Sequence, residues 1–200
     1  MRGDGQQRTD VRQRRRRAIA MAAGLLAFSV VATLGVTGYR VVHEPLPLTS
    51  TGGGFCGSWV GTDVPPGTDT SRMAASFLLR NPSDRAVHVD SLHLHGGAGL
   101  ERVDVSAAVL EQARDDLGNA IGDVTSVSGG HALTPPRDLT VPAHGALLVV
   151  ADMHLERSAT AGTFTGVRVD WSGALGVEHR DLLAEKVGML TPDDQDGCFS

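Results

Sequence analysis

His93-Leu94-His95 sets two imidazoles two residues apart. On an extended strand both rings project from one face, a spacing that can hold zinc or copper if further ligands converge. His88 lies close in sequence, and Met153-His154 puts a thioether beside an imidazole. Spacing alone brings none of these together, and alternating histidines on a solvated strand face are ordinary surface. His93 and His95 are therefore candidates, with no metal and no cofactor committed. Asp193-Asp194-Gln195-Asp196-Gly197 begins like a calcium loop, but no bidentate glutamate follows before Ser200. Asp104 with Asp115-Asp116 could be imagined as an acid/base pair, yet adjacent residues point apart on either a helix or a strand, so these read as surface charge. No Gly-x-Ser-x-Gly elbow and no Ser-x-x-Lys occurs. Nothing in the residues points to catalysis, and the expectation is a protein that is not an enzyme.

The elements that carry these residues read as strands. Met73, Ala75, Phe77 and Leu79 alternate, as do Leu147, Val149, Ala151, Met153 and Leu155, and Thr165, Val167, Val169 and Trp171. A period of two buries one face of a strand. Asn81-Pro82-Ser83-Asp84, Gly96-Gly97, Gly129-Gly130, Pro135-Pro136 and Ala143-His144-Gly145 supply turns between them. Further short strands fit Ser58–Asp63, Val87–Leu94, Leu100–Val105 and Leu175–Leu182. The sum is an all-β, antiparallel sandwich of seven or eight strands. One short helix is expected over Ser106–Leu117, where Val109, Leu110, Ala113 and Leu117 share a face and Gly118 can end it.

Val87 and Val89 occupy one parity and Leu92 and Leu94 the other. A β-bulge at Asp90 or Ser91 keeps all four inward and turns His93 and His95 outward. Trp59 and Trp171 are expected in the core; with aromatics this few, a carbohydrate-stacking platform is disfavoured.

Leu78-Leu79-Arg80-Asn81-Pro82-Ser83-Asp84-Arg85-Ala86-Val87-His88-Val89 resembles the strand, Asn-Pro turn and Val-x-Val strand of immunoglobulin-like exported modules. Leu139-Thr140-Val141-Pro142-Ala143-His144-Gly145 resembles the Val-Pro-x-Gly corner that follows later in them. With the N-terminal apolar stretch, the layout is similar to small, functionally uncharacterised actinobacterial membrane-anchored proteins with an exported immunoglobulin-like β-sandwich. The resemblance implies the fold and transfers no catalytic residue.

Ala18 to Tyr39 is twenty-two residues without a charge, long enough at about 1.5 Å per residue to span a hydrocarbon core of about 30 Å. Arg14, Arg15, Arg16 and Arg17 abut its start, which places the N-terminus in the cytoplasm and the rest outside. The competing reading is a signal peptide cleaved after Gly38, which would release the domain. The expected organisation is a basic cytoplasmic tail over 1–17, a transmembrane helix over 18–39, a Pro/Gly-rich spacer over 40–54 and an exported domain over 55–200. Seven arginines against Asp4 and Asp10 give residues 1–17 a charge of +5, while residues 41–200 carry ten basic groups against twenty-one acids, a charge of −11. So acidic a domain disfavours nucleic acid as a partner. Cys56 and Cys198 are the two cysteines, both on the expected outer side, where oxidising conditions permit a disulfide, and they are expected to pair and clasp the first and last elements of the domain. The functional expectation is an envelope interaction or structural module with a protein partner, using the connections Ser106–Leu117 and Gly129–Asp138; the alternative is a copper- or zinc-binding protein.

Overall fold

The structure, a computed structural model, describes residues 36–39, 44–50, 54–58, 67, 69–113, 117–173 and 176–191. Residues 36–39 are helical, and among the described residues no helix is long and apolar enough to cross a membrane. The arginines at 14–17 and the rest of the expected span lie outside the described residues, as do Cys198, Trp59, Asp115, Asp116 and the acidic stretch 193–197. The chain divides into two units, Met1–Glu44 and Pro45–Ser200.

The second unit is mostly β. Its strands are β1 (Thr49–Ser50), β2 (Phe55–Ser58), β3 (Arg72–Arg80), β4 (Val87–His95), β5 (Leu100–Leu110), β6 (Ala120–Gly122), β7 (Arg137–Val141), β8 (Ala146–Leu155), β9 (Ala161–Ser172) and β10 (Glu178–Leu190), with one helical turn, α1 (Val124–Val127). They form two five-stranded sheets. One runs β1-β3-β8-β5, with β6 also paired to β3; the other runs β2-β10-β9-β4-β7. Among the described residues the expected seven or eight strands are ten, and β2 runs parallel to β10, so the sandwich is not wholly antiparallel. The expected helix over 106–117 is absent from its first half, because Ser106 to Leu110 continue β5 and pair with β8. Cross-strand pairing of Ala107 with Val149 and Val109 with Leu147 overrides the local helical periodicity.

The alternating sets Met73, Ala75, Phe77, Leu79 and Leu147, Val149, Ala151, Met153 meet Val167, Val169 and Trp171 of the other sheet in the main core. The opposite parity is buried as well. Ala74, Leu78, Leu148 and Val150 pack under Val127 of α1 and Leu110 in a second cluster on the outer face. A strand buried on both faces reads as a continuous apolar run, as in β8. Thr165, expected inward, is exposed, and Phe164 takes the core position instead.

Residues 45–50, expected within the spacer, belong to the domain. Leu48 is 2% exposed in the main core and β1 pairs with the end of β3. The two stretches that carried the family resemblance meet in space. Asn81, 1% exposed, donates through its side-chain amide to the carbonyls of Arg85 (2.7 Å) and Pro142 (2.8 Å) and, at 3.3 Å, Val141. Its Oδ1 accepts from the Ser83 hydroxyl (2.6 Å) and the Ser83 amide (3.1 Å), and its own amide donates to Gly145 O. The Asn-Pro turn is thereby bolted to the Val-Pro corner.

Candidate functional site

β4 is irregular, as its sequence requires. Its pairing with β9 shifts between Val89 and Ser91, leaving Asp90 as the extra residue. Val87, Val89 and Leu92 are buried, Leu94 is half-buried, and His93 and His95 are exposed.

On the side of β4 away from β9 the sheets part. Ser91 to Leu94 of β4, Val103 and Val105 of β5, Pro136 and Arg137 at the start of β7, Gly97 and Phe164 enclose an open cleft of about 510 Å³. Phe164 and Leu92 form a buried floor; Leu94, Val103 and Val105 form half-buried walls. At one end the cleft is closed by the chain between α1 and β7. Thr134 exchanges backbone hydrogen bonds with Ala107 of β5, and Pro136 O accepts from the Leu92 amide of β4. That strap ties the two sheets together at Ala107, where the side chain is small, and they stand apart at Val103 and Val105.

The rim is polar and basic. His93 Nε2 lies 3.2 Å from Ser91 Oγ, which donates to Asp170 (2.9 Å); Asp170 in turn holds Arg180 at 2.5 Å. The Arg180 guanidinium holds the Asp170 carboxyl below the usual carboxylate range; burial opposes this, and the Ser91 hydroxyl adds to the lowering. This order of groups does not activate a nucleophile: the serine proton already goes to a carboxylate, and the imidazole sits at the far end.

Across from His93 in the sheet stands Arg168, and across from His95 stands Gly166. Neither is a metal ligand, and among the described residues no carboxylate, thiolate or third imidazole converges on His93 and His95. Met153 is fully buried while His154 is part-exposed on the opposite face, so these neighbours cannot share a ligand. Among the described residues the ligand-bearing atoms that do converge are those of Asp104, Asp152 and His154. Their negative charge is already met, since Arg72 grips Asp152 through Nε (2.9 Å) and a second nitrogen (2.5 Å), and Arg102 holds Asp104 at 2.7 Å. A cation there would have to displace two guanidiniums.

Sequence reasoning placed Arg137 and Pro136 within a connection suited to recognition, but it missed Val103, Val105 and Phe164 as parts of one cleft. Val103 and Val105 fall in the expected strand Leu100–Val105, but the helix expected from Ser106 cuts off its continuation through Ala107, where the strap attaches. It missed Glu185 too. Leu183, Glu185, Val187 and Met189 share the inward parity of β10, so a carboxyl is carried into the core beside a register shift between Ala184 and Val187. Glu185 is 1% exposed; one oxygen accepts from Ser50 Oγ, and Oε1 meets no hydrogen-bond partner among the described residues. Burial pushes its carboxyl up, only partly opposed by the Ser50 hydrogen bond.

The chain matches no family model and no curated protein. Among solved structures it is similar to a family 123 glycoside hydrolase from Clostridium perfringens that acts on glycolipid glycans, with 10% identity and a TM-score of 0.35 over 68% of this chain. The chain spans 22% of that hydrolase's length. It is also similar to the collagen-binding subdomain of the Enterococcus faecalis surface protein ACE, with 7% identity and a TM-score of 0.27, over 60% of this chain and 90% of that one.

Proposed function

We propose that this chain is a non-enzymatic interaction module of the cell envelope: an immunoglobulin-like sandwich held outside the cell by the apolar N-terminal segment, binding a protein partner through the cleft between β4, β5 and β7. The observation that carries the reading is the cleft itself. Its volume of about 510 Å³ falls within the roughly 300 to 1,000 Å³ of ordinary ligand sites, with an apolar floor and a few polar groups at its mouth. Among the described residues no nucleophile and base stand in working order beside it, which favours binding over turnover. The charge of −11 over residues 41–200 keeps such a module off nucleic acid and leaves the arginine cluster at 14–17 to orient the chain in the membrane.

A photoreactive benzophenone side chain at position 93, beside the cleft, tests this in intact source cells expressing the full chain, with position 182 as the control. Leu182 is 57% exposed on β10 and is not part of the cleft. The expected result is a discrete adduct from position 93 that is lost when Val105 is changed to Lys in the same chain, and none from position 182. Equal labelling from both positions, or none from either, would overturn the reading.

A further inference from the structure

We infer that the cleft receives an extended, acid-bearing peptide segment, added as a strand along the free edge of β4; this rests on the binding reading above and names its partner chemistry. β7 accompanies β4 only from Val87 to Ser91, where its register ends at Arg137. The last hydrogen bond on that edge runs from the Leu92 amide to Pro136 O. Two residues on, the backbone of Leu94 faces the same way by the period of the strand, and among the described residues nothing pairs with it there. Pro135-Pro136 explains why β7 begins where it does: a proline has no amide to donate, so the ladder cannot be extended by this chain's own next residues.

The opposite lip has the same character. β5 pairs with β8 on one edge, and on the other edge its only partner among the described residues is Thr134, at Ala107. Val103 and Val105, on the parity of Ala107, present their outer backbone edge to the cleft, and among the described residues nothing pairs with them there. Two unpaired strand edges thus flank a half-buried row of Leu94, Val103 and Val105 over Phe164. An extended segment satisfies both features at once, since its backbone continues the ladder that β7 leaves off and its alternate side chains enter the apolar row. A compact apolar ligand would fill the row and leave the β4 edge bare.

Charge selects among such segments. Among the described residues the cleft lining holds Arg137 and His93 and no carboxylate. Arg137 is exposed, and among the described residues its guanidinium makes no ion pair, unlike Arg72, Arg102 and Arg180. In a domain this acidic, an uncompensated arginine at the mouth of an apolar cleft fits an aspartate or glutamate at the end of the added strand that lies beside β7. Beyond the bond from Leu92 to Pro136, from His93 to His95, the free edge is three residues, about 10 Å at about 3.3 Å per residue, so the recognised segment is short.

The full-length chain in lipid nanodiscs, panned against a random heptapeptide phage library, tests this. The expected enrichment is apolar residues at alternate positions with an acid at one end. A synthetic copy of an enriched peptide is expected to slow exchange of the Leu94 amide and to bind an Arg137→Glu chain about tenfold more weakly. A peptide with Lys in place of its acid should recover affinity for that variant. No enrichment, enrichment without alternation, or equal binding to the Arg137→Glu chain overturns the inference. So does dodecanoate binding that depends on Arg137 in the absence of any enriched peptide, which would assign the cleft to a small amphiphile. Adducts from position 93 in cells without peptide enrichment leave the binding reading standing and remove this one; enrichment without adducts leaves the cleft's peptide specificity standing and removes the cellular protein partner. Thermal melts of both chains must agree, and Arg137, being exposed, is not expected to alter folding.

Discussion

Replacing Asn81 with Ala should cost this domain a large part of its stability, although the residue touches neither the cleft nor any histidine. The side chain makes four well-formed hydrogen bonds, two given to Arg85 O and Pro142 O and two received from Ser83, with a longer contact to Val141 O. At about 1 kcal/mol net for each bond, the loss is about 4 kcal/mol, and buried carbonyls left without a donor push it no lower. For a chain of this size about 3 °C is lost per kcal/mol, so Tm should fall by about 12 °C. Folded domains hold only about 5 to 15 kcal/mol in all, so the variant should sit near the edge of folding at 37 °C. Urea unfolding of the full-length chain in nanodiscs, followed by the fluorescence of the buried Trp171, measures the change. Asn81→Asp should be at least as damaging at neutral pH, since it removes both donors and adds a charge in a 1% exposed site. A loss below about 1 kcal/mol for Asn81→Ala would refute the claim that this amide fastens the Asn-Pro turn to the Val-Pro corner.

The remaining expectations concern groups away from that corner. Glu185 has its carboxyl pushed above the ordinary glutamate value of about 4.3, so the folded state binds a proton more tightly than the unfolded chain and stability falls as pH rises from about that value through the folded one. Glu185→Gln should flatten this fall and give a higher urea midpoint than the parent at pH 8, with little difference at pH 4; a parent whose midpoint rises across that interval by as much as the variant's would rule it out. Gly99 has φ +66° and a Cβ there would fall on the carbonyl oxygen of Ala161, whereas Gly130 has φ +78° in open space. Gly99→Ala should therefore destabilise by more than about 2 kcal/mol and Gly130→Ala by about 1, so equal effects on Tm would contradict the close strand approach at Gly99. Cys56 lies opposite Gly188 where β2 runs parallel to β10. A bridge from Cys56 to Cys198 should withhold both thiols from alkylation, leave the intact mass 2 Da low before reduction, and contribute about 4 to 5 kcal/mol by loop closure; two alkylatable thiols in the native chain would exclude it.

Where one face of a strand decides the structure, the residues were sufficient, and where two elements compete for one stretch they were not. The mismatch of Val87 and Val89 with Leu92 and Leu94 could only be resolved by an extra residue, and it lies at Asp90, with His93 and His95 turned out. The same logic failed over 106–117, because Val109, Leu110 and Ala113 fit a helical face locally while nothing in the sequence announces that β8 passes alongside. β8 itself carried the hint: Leu147-Leu148-Val149-Val150 is apolar at both parities, and a strand apolar on both sides must be covered on both. Leu110, Leu117 and, in α1, Val127 lie over its outer face, and the chain that follows α1 reaches β7 by crossing the open side of the sandwich. That crossing is the strap through Thr134 and Pro136, and the cleft is the space the strap leaves uncovered. A site of this kind is hard to read from sequence because none of its residues is unusual: valine, leucine, proline and arginine become a binding surface only through the position at which β7 starts. Pro135-Pro136 fixes that position, so the two residues that read most plainly as a turn also set how much of β4 is left for another chain.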